Sequence, residues 1–250
     1  MFPYRDENET VRAPVVTVAI IVLNVLVWIF IQGAGSQLAV AASTCNYGLI
    51  PGELMLRVKP GDGFPLGEGM ACLMDPGRAP EHILYSMFLH GSWLHIGFNM
   101  WFLWIFGNNV EDSMGRVRFV IFYLLCGLAA ALAQVASDPS SMYPMVGASG
   151  AIGGVMGAYV LLYPRVRVFT LVFLGFFITT VALPAWVFLG VWFGMQLLST
   201  MTRNAGGVAV WAHVGGFLAG VLMIKAFARP EYIAEHSAKQ WQPQRLGWRR

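Results

Sequence analysis

The chain carries little charge. Of its 250 residues, 12% are charged and 57% are hydrophobic, whereas soluble domains have about 25% charged residues. This composition excludes an ordinary soluble domain and indicates an integral membrane protein, with the lipid bilayer as a partner. The net charge of +3 gives no indication of nucleic acid, and no nucleic-acid partner is expected.

Cysteine is also scarce. Cys45, Cys72 and Cys126 are the only three, and no CxxC or Cys/His spacing typical of a metal site is present. Three cysteines are too few for a disulfide framework. No metal site is expected from this spacing, and no organic cofactor is implied by the sequence.

Long apolar runs dominate what remains. Roughly 20 residues of helix cross about 30 Å of hydrocarbon, and six segments qualify: 15–32, 83–106, 119–135, 145–163, 184–200 and 208–227. No signal-peptide cleavage site clearly follows the first segment, so we expect it to be retained as a span. The predicted fold is an all-α polytopic membrane protein, a six-transmembrane-helix bundle over residues 15–227.

A serine and a histidine lie near the starts of two of these segments. Ser149 stands in GASG at 147–150, and His213 in AHVGG at 212–216. Backbone N–H groups at a helix N-terminus lack intrahelical partners and can stabilise a developing oxyanion. A histidine in a membrane helix is costly and indicates function, and imidazole titrates near physiological pH. Each residue alone fits a packing or structural role, but together they indicate a nucleophile and its base.

Glycines recur on one face of each of these two segments. They are Gly150, Gly153 and Gly157 after Ser149, and Gly216 and Gly220 after His213. Small residues at helical spacing let membrane helices approach closely. We therefore expect the two glycine faces to pack together and to bring the histidine to the serine hydroxyl.

The loop charges predict an orientation. Arginine and lysine follow the second, fourth and sixth segments, and such residues favour the cytoplasmic side. Residues 1–14 and 228–250 are then a cytoplasmic segment and tail, and 33–82 is a long extracytoplasmic loop on the side of the serine and histidine. Residues 168–181 are apolar but β-branched and aromatic. A crossing there would separate the serine from the histidine, so we expect this segment at the interface or beneath its neighbours.

The extracytoplasmic loop contains Cys45 and Cys72. An oxidising compartment would let the two cysteines pair, and we regard this disulfide as a hypothesis. The short N-terminal segment, without an organelle-type leader, favours a bacterial inner membrane.

A second polar pair lies in the second segment. His95 and Asn99 are four residues apart and share one helix face. Buried side-chain donors need a partner, and a transition-state oxyanion would serve, although a polar clasp between helices is an alternative. His90, nearer the loop, is expected to be structural. No acid lies near His213 in the sequence, so we predict a Ser–His dyad without a third member.

These motifs resemble those of the rhomboid family of intramembrane serine proteases. The matching residues are GASG at 147–150, His95-x-x-x-Asn99, AHxxGxxxG at 212–220 and Gly107-x-x-x-Glu111-x-x-x-Gly115. The resemblance implies Ser149 as nucleophile, His213 as base, and an oxyanion hole formed by His95, Asn99 and the Ser149 amide. It also implies a structural role for Glu111 and single-span membrane proteins as substrates.

Two positions depart from the family pattern. Many rhomboids have an aromatic residue four positions after the nucleophile, where it supports the histidine, and this chain has Gly153. The Trp-Arg pair common in the first loop is absent from 33–82. Two other functions remain as alternatives, an inactive relative that binds membrane proteins and a transporter with a polar path. The intact Ser149 and His213 disfavour the first, and the lack of charges deep in the spans disfavours the second.

Overall fold

The computed structural model of the chain is mostly helical over the residues that it describes, namely 2–67, 70–75, 77, 80–174, 177–201 and 209–240. The helices are α1 (Val15–Phe30), α2 (Gln37–Tyr47), α3 (Pro51–Leu54), α4 (His82–Tyr85), α5 (Trp93–Phe102), α6 (Asn108–Met114), α7 (Arg116–Ser137), α8 (Ser149–Leu162), α9 (Ala185–Met201), α10 (Val210–Phe227) and α11 (Pro230–Gln240). The strands are β1 (Phe2–Asp6), β2 (Gly63–Gly67), β3 (Met70–Leu73), β4 (Arg167–Leu174) and β5 (Phe177–Pro184). The predicted start of the sixth span at 208 and residues 241–250 of the tail lie outside the described residues.

Apolar helices of two lengths form the body of the protein. Among the described residues, α7 with 22 residues and α10 with 18 are long and apolar enough to cross a membrane. The apolar helices α1, α8 and α9 have 16, 14 and 17 residues, shorter than a typical span of about 20. Helix α8 begins at Ser149 and not at residue 145 as predicted, because Gly147 before it has a φ of +125°, outside the helical region. Its length of about 21 Å is less than the hydrocarbon thickness.

The second apolar segment is helical over a different range from the predicted 83–106. After α4 and a 3-10 turn at Ser86–Phe88, Leu89 and Ser92 adopt extended backbone. The Ser92 hydroxyl accepts the backbone N–H of His95 at 3.1 Å and so caps the start of α5. From there the helix runs through a π-helical turn at Leu103–Gly107 into α6. His95 therefore lies in a first helical turn and not inside a continuous span.

Helix α8 lies at the centre of the molecule. Ten of its 14 residues are buried, and it packs against α10 and α7. The contact with α10 is close because a Cβ atom at Gly216 or at Gly220 would overlap the backbone carbonyl oxygen of Gly150 or of Gly154, respectively. Gly150, Gly216 and Gly220 thus lie where α8 and α10 meet, and the two backbones touch directly.

Five strands among the described residues correct the expectation of an all-α chain. The segment 168–181 was expected at the interface or beneath neighbouring spans. Its described residues, 168–174 and 177–181, lie in the paired antiparallel strands β4 and β5. Strand β1, from the segment predicted only as a cytoplasmic N-terminus, adds to β4 and completes a sheet of order β1-β4-β5. The physical reason is the β-branched and aromatic composition of 168–181, which suits a strand better than a helix.

The long first loop is folded. It contains α2, α3 and the antiparallel hairpin β2–β3. Cys45 at the end of α2 forms a disulfide with Cys72 of β3, the pairing that the sequence analysis offers as a hypothesis. A carboxylate oxygen of buried Glu53 accepts the backbone N–H of Asp75 at 2.6 Å. The disulfide and this hydrogen bond join the helices of the loop to its hairpin.

A buried carboxylate joins the two ends of the chain. Asp112 of α6 accepts the backbone N–H groups of Val11 and Arg12, at 2.8 and 3.1 Å, and lies 3.0 Å from Nδ1 of His236 in α11. Burial opposes its ionisation, but the hydrogen bonds from His236, Val11 and Arg12 hold the pKa of Asp112 below its ordinary value. Residues 230–240 of the predicted tail are therefore a helix anchored to α6.

Candidate active site

The tight turn before α8 sets the position of Ser149. Gly147 has a φ of +125°, a conformation that only glycine adopts readily, and its N–H donates to the Ser86 carbonyl oxygen at 2.8 Å. The chain thereby enters α8 with Ser149 as its first residue. The early N–H groups of the helix, including that of Ser149, have no intrahelical acceptor.

Ser149 and His213 lie within hydrogen-bond distance. Nε2 of His213, in the first turn of α10, is 2.8 Å from Oγ of Ser149. The direct backbone contact between Gly216 and Gly150, described above, holds α10 against α8 just beyond these residues. The two predicted reactive groups, 64 residues apart in the sequence, are thus brought together by helix packing.

The second ring nitrogen of His213 has a partner that the sequence reasoning missed. Nδ1 lies 2.8 Å from Oε1 of Gln196 in α9. The ring of Trp192, one turn earlier in α9, is tilted by 38° at 6.0 Å from the His213 ring. Position 153 is crowded, because a Cβ atom at Gly153 would lie 3.1 Å from the His213 carbonyl oxygen.

His95 points one ring nitrogen towards the turn before Ser149. Its Nδ1 accepts the backbone N–H of Gly91 at 3.3 Å, so the proton of the neutral ring is on Nε2. A Cβ atom at Gly147 would lie 2.7 Å from that Nε2. The absence of a side chain at Gly147 therefore allows a ring N–H to approach the serine.

Asn99 lies one turn further along α5. Its side chain is buried with 6% exposed, and its Nδ2 donor has no hydrogen-bond partner among the described residues. An unmade hydrogen bond of a buried amide costs about 1–3 kcal/mol. Such a donor is available to an acceptor that arrives with a substrate.

Glu111, another residue singled out in the sequence, lies away from the serine hydroxyl. Glu111 of α6 accepts the backbone N–H groups of Val16 and Thr17 and the Thr17 hydroxyl, at 2.8–3.0 Å, and so joins α6 to the start of α1. The neighbouring Tyr163, just after the end of α8, donates its hydroxyl to the backbone of α6. Glu111 therefore lies near the end of α8 that is remote from Ser149.

Three glutamines in apolar segments make specific contacts that the sequence reasoning did not predict. Gln32 exchanges two hydrogen bonds of 2.8 Å with the backbone of His90, whose ring is fully buried. Gln134 of α7 accepts the backbone N–H of Ala212 at the start of α10, and Gln196 is the partner of His213. Each is an amide in an otherwise apolar run, which in lipid needs a specific partner.

The charged groups of the described residues leave the Ser–His pair without an acid. No carboxylate among them is hydrogen-bonded to His213. Nor do the described residues contain three His, Cys, Asp or Glu side chains grouped to hold a metal ion. The arrangement consists of a hydroxyl beside an imidazole, with His95 next to the turn at Gly147 and the unpartnered Nδ2 of Asn99 one turn further along α5.

This fold and geometry define a class of protein: a helical, polytopic membrane protein with a serine–histidine pair between glycine-lined helices. A family model described as the Rhomboid domain matches residues 79–230. The chain therefore belongs to the rhomboid family, which confirms the resemblance seen in its motifs, and it is an integral membrane protein.

Similar proteins occur in bacteria and mitochondria. The chain is 31% identical over 151 residues to the mitochondrial rhomboid protein 1 of Saccharomyces cerevisiae, covering 56% of this chain and 40% of the relative. It is 32% identical over 151 residues to the rhomboid protease GluP of Bacillus subtilis, covering 60% and 26%. It is 30% identical over 148 residues to the human presenilin-associated rhomboid-like protein of mitochondria, covering 56% and 36%. The chain thus spans less than half the length of these curated relatives.

Proposed function

We propose that this chain is an intramembrane serine endopeptidase that uses Ser149 and His213 as a catalytic dyad. The observation that carries the proposal is the 2.8 Å separation of Oγ and Nε2, the reach required of a nucleophile and its base. Membership of the rhomboid family and the name of the Bacillus subtilis relative, a rhomboid protease, support the same activity.

The reaction follows from these two groups. Oγ of Ser149 attacks the scissile carbonyl carbon while Nε2 of His213 takes the hydroxyl proton. His213 then gives this proton to the leaving amine as the C–N bond breaks, which leaves an acyl ester on Ser149. A water molecule deprotonated by His213 attacks the ester, its C–O bond breaks, and the proton returns to the serine.

The oxyanion that forms in both steps needs donors. We assign this role to the N–H of Ser149 at the start of α8, to Nε2–H of His95 and to Nδ2–H of Asn99. The assignment rests on the protonated Nε2 of His95 beside Gly147 and on the unpartnered Nδ2 of Asn99. Each well-placed donor is worth roughly 3–4 kcal/mol in the transition state.

The substrates we propose are single-span membrane proteins. Their peptide carbonyls are hydrogen-bonded within a helix, so a segment near the cut must unwind, and small or helix-breaking residues should favour cleavage. Six spans, with the active site opening to the extracytoplasmic side of a bacterial inner membrane, complete the proposal. The disulfide between Cys45 and Cys72 supports an oxidising compartment for the first loop.

The test compares serine variants of the purified chain in liposomes. A single-span reporter and a fluorophosphonate, which labels activated serines, are offered to the parent, to Ser149→Ala and to Ser137→Ala. Ser137 is exposed at the end of α7 and is the matched control. We expect the parent and Ser137→Ala to cleave and to be labelled, and Ser149→Ala to do neither. Equal cleavage by Ser149→Ala and the parent would remove Ser149 from the mechanism.

A further inference from the structure

We infer that Gln196 is the positioning residue of this active site and that it holds His213 in the tautomer that can accept the serine proton. This inference rests on the proposed function. Its basis is the pair of 2.8 Å contacts on the His213 ring, Nδ1 to Oε1 of Gln196 and Nε2 to Oγ of Ser149.

The tautomer matters because a neutral imidazole carries a single N–H. A carbonyl oxygen such as Oε1 of Gln196 only accepts, so its partner Nδ1 must donate, and the lone pair is then on Nε2. That lone pair faces the hydroxyl of Ser149. In the other tautomer, Nε2 would donate to Oγ and could not take its proton.

No other described side chain is seen to fix the tautomer of His213. Position 153, one turn after Ser149, is a glycine, and the Trp192 ring is tilted and 6.0 Å away from the ring of His213. Among the described residues, Gln196 alone is hydrogen-bonded to Nδ1. An acceptor at this atom has the role that an aspartate has in a triad, here with a neutral amide in place of a carboxylate.

The energetic setting favours such a role for an amide. An uncompensated carboxylate in a membrane helix is costly, whereas a glutamine supplies the acceptor without the charge. Gln196 is on α9, Ser149 on α8 and His213 on α10, so three helices must be in place for the base to be aligned.

The experiment uses two substitutions of Gln196 in the full chain in liposomes. Gln196→Met keeps the length and apolar stem and removes the acceptor, so we expect kcat to fall about 10- to 100-fold with KM unchanged. Gln196→Glu keeps an acceptor, so we expect kcat within a few-fold of the parent. A carboxylate also stabilises the imidazolium, so the acid limb of the Glu variant's pH–rate profile should move to higher pH. Met195→Leu, on the exposed side of α9, is the control and should match the parent.

The outcomes separate this inference from the proposed function. If Ser149→Ala cleaves as well as the parent, the proposed function fails. If cleavage needs Ser149 but Gln196→Met has the parent's kcat, only the inference about Gln196 fails. It also fails if Gln196→Glu is as slow as Gln196→Met, or if its acid limb does not move. Should Gln196→Met unfold at a lower temperature than the parent, the acid limb of Gln196→Glu decides alone.

Discussion

Replacing Gly147 by alanine tests whether the turn before α8 sets the approach of His95 to the serine. The φ of Gly147 is +125°, and such a conformation costs other residues about 1–3 kcal/mol. A Cβ atom there would also lie 2.7 Å from Nε2 of His95, so the ring must retreat by roughly 0.7 Å to regain van der Waals separation. Since a displacement of about 1 Å can cost 100-fold in rate, we expect kcat to fall roughly 10- to 100-fold and the free energy of unfolding by about 1–3 kcal/mol.

A second glycine separates backbone strain from the displacement of His95. Gly61 in the first loop has a φ of +86°, and nothing lies within 4 Å of a Cβ atom there. Gly61→Ala should therefore lose stability without losing kcat. Cleavage of a single-span reporter in liposomes gives kcat, and thermal unfolding gives stability. A folded Gly147→Ala protein with the parent's kcat would refute the geometric reasoning.

Three further predictions concern other parts of the molecule. Asn99→Ala should lower kcat about 10²- to 10³-fold. The unfolding temperature should not fall, because Nδ2 of Asn99 has no partner among the described residues. A lower unfolding temperature with normal kcat would instead indicate that Asn99 holds two helices together. Burial raises the pKa of Asp6 to about 6. The folded state therefore keeps a proton that the unfolded chain loses above about pH 4. As the pH rises from 4 to 6 the folded state loses stability, by at most about 3 kcal/mol. Asp6→Asn should remove this pH-dependent loss of stability. The prediction would be contradicted if the unfolding temperatures of the variant and the parent differed by the same amount at every pH between 4 and 7. The Cys45–Cys72 disulfide links residues 27 positions apart. Its reduction should destabilise the first loop by roughly 3–4 kcal/mol, which would be measured as faster amide hydrogen exchange over residues 45–74. Unchanged exchange would contradict this prediction.

The reactive pair was accessible to sequence reasoning because it lies on a repeated pattern. Ser149 and His213 each head a row of glycines at helical spacing, and such rows pack face to face. The same periodicity locates His95 and Asn99 on one face of α5. Only the physics of one helix and one contact between two helices is needed for these expectations.

The ends of the helices were harder to predict. Apolar composition alone extends the second segment from 83 to 106, whereas the capping hydroxyl of Ser92 starts α5 at Trp93. Likewise, α8 begins later than hydropathy suggests, because the positive φ of Gly147 is incompatible with a helix. A hydropathy window averages over about 20 residues and does not detect a single cap or turn.

Composition and local periodicity were enough to establish a membrane protein, two glycine-lined helices and the serine and histidine that head them, because those properties depend on residues close together in the chain. The partner of Nδ1, the strand added by residues 2–6 and the anchoring of α11 to Asp112 each depend on segments far apart in the sequence. Such contacts follow from how the helices and strands pack as a whole. For that reason Gln196, an isolated amide in an apolar run, acquires its meaning only beside His213.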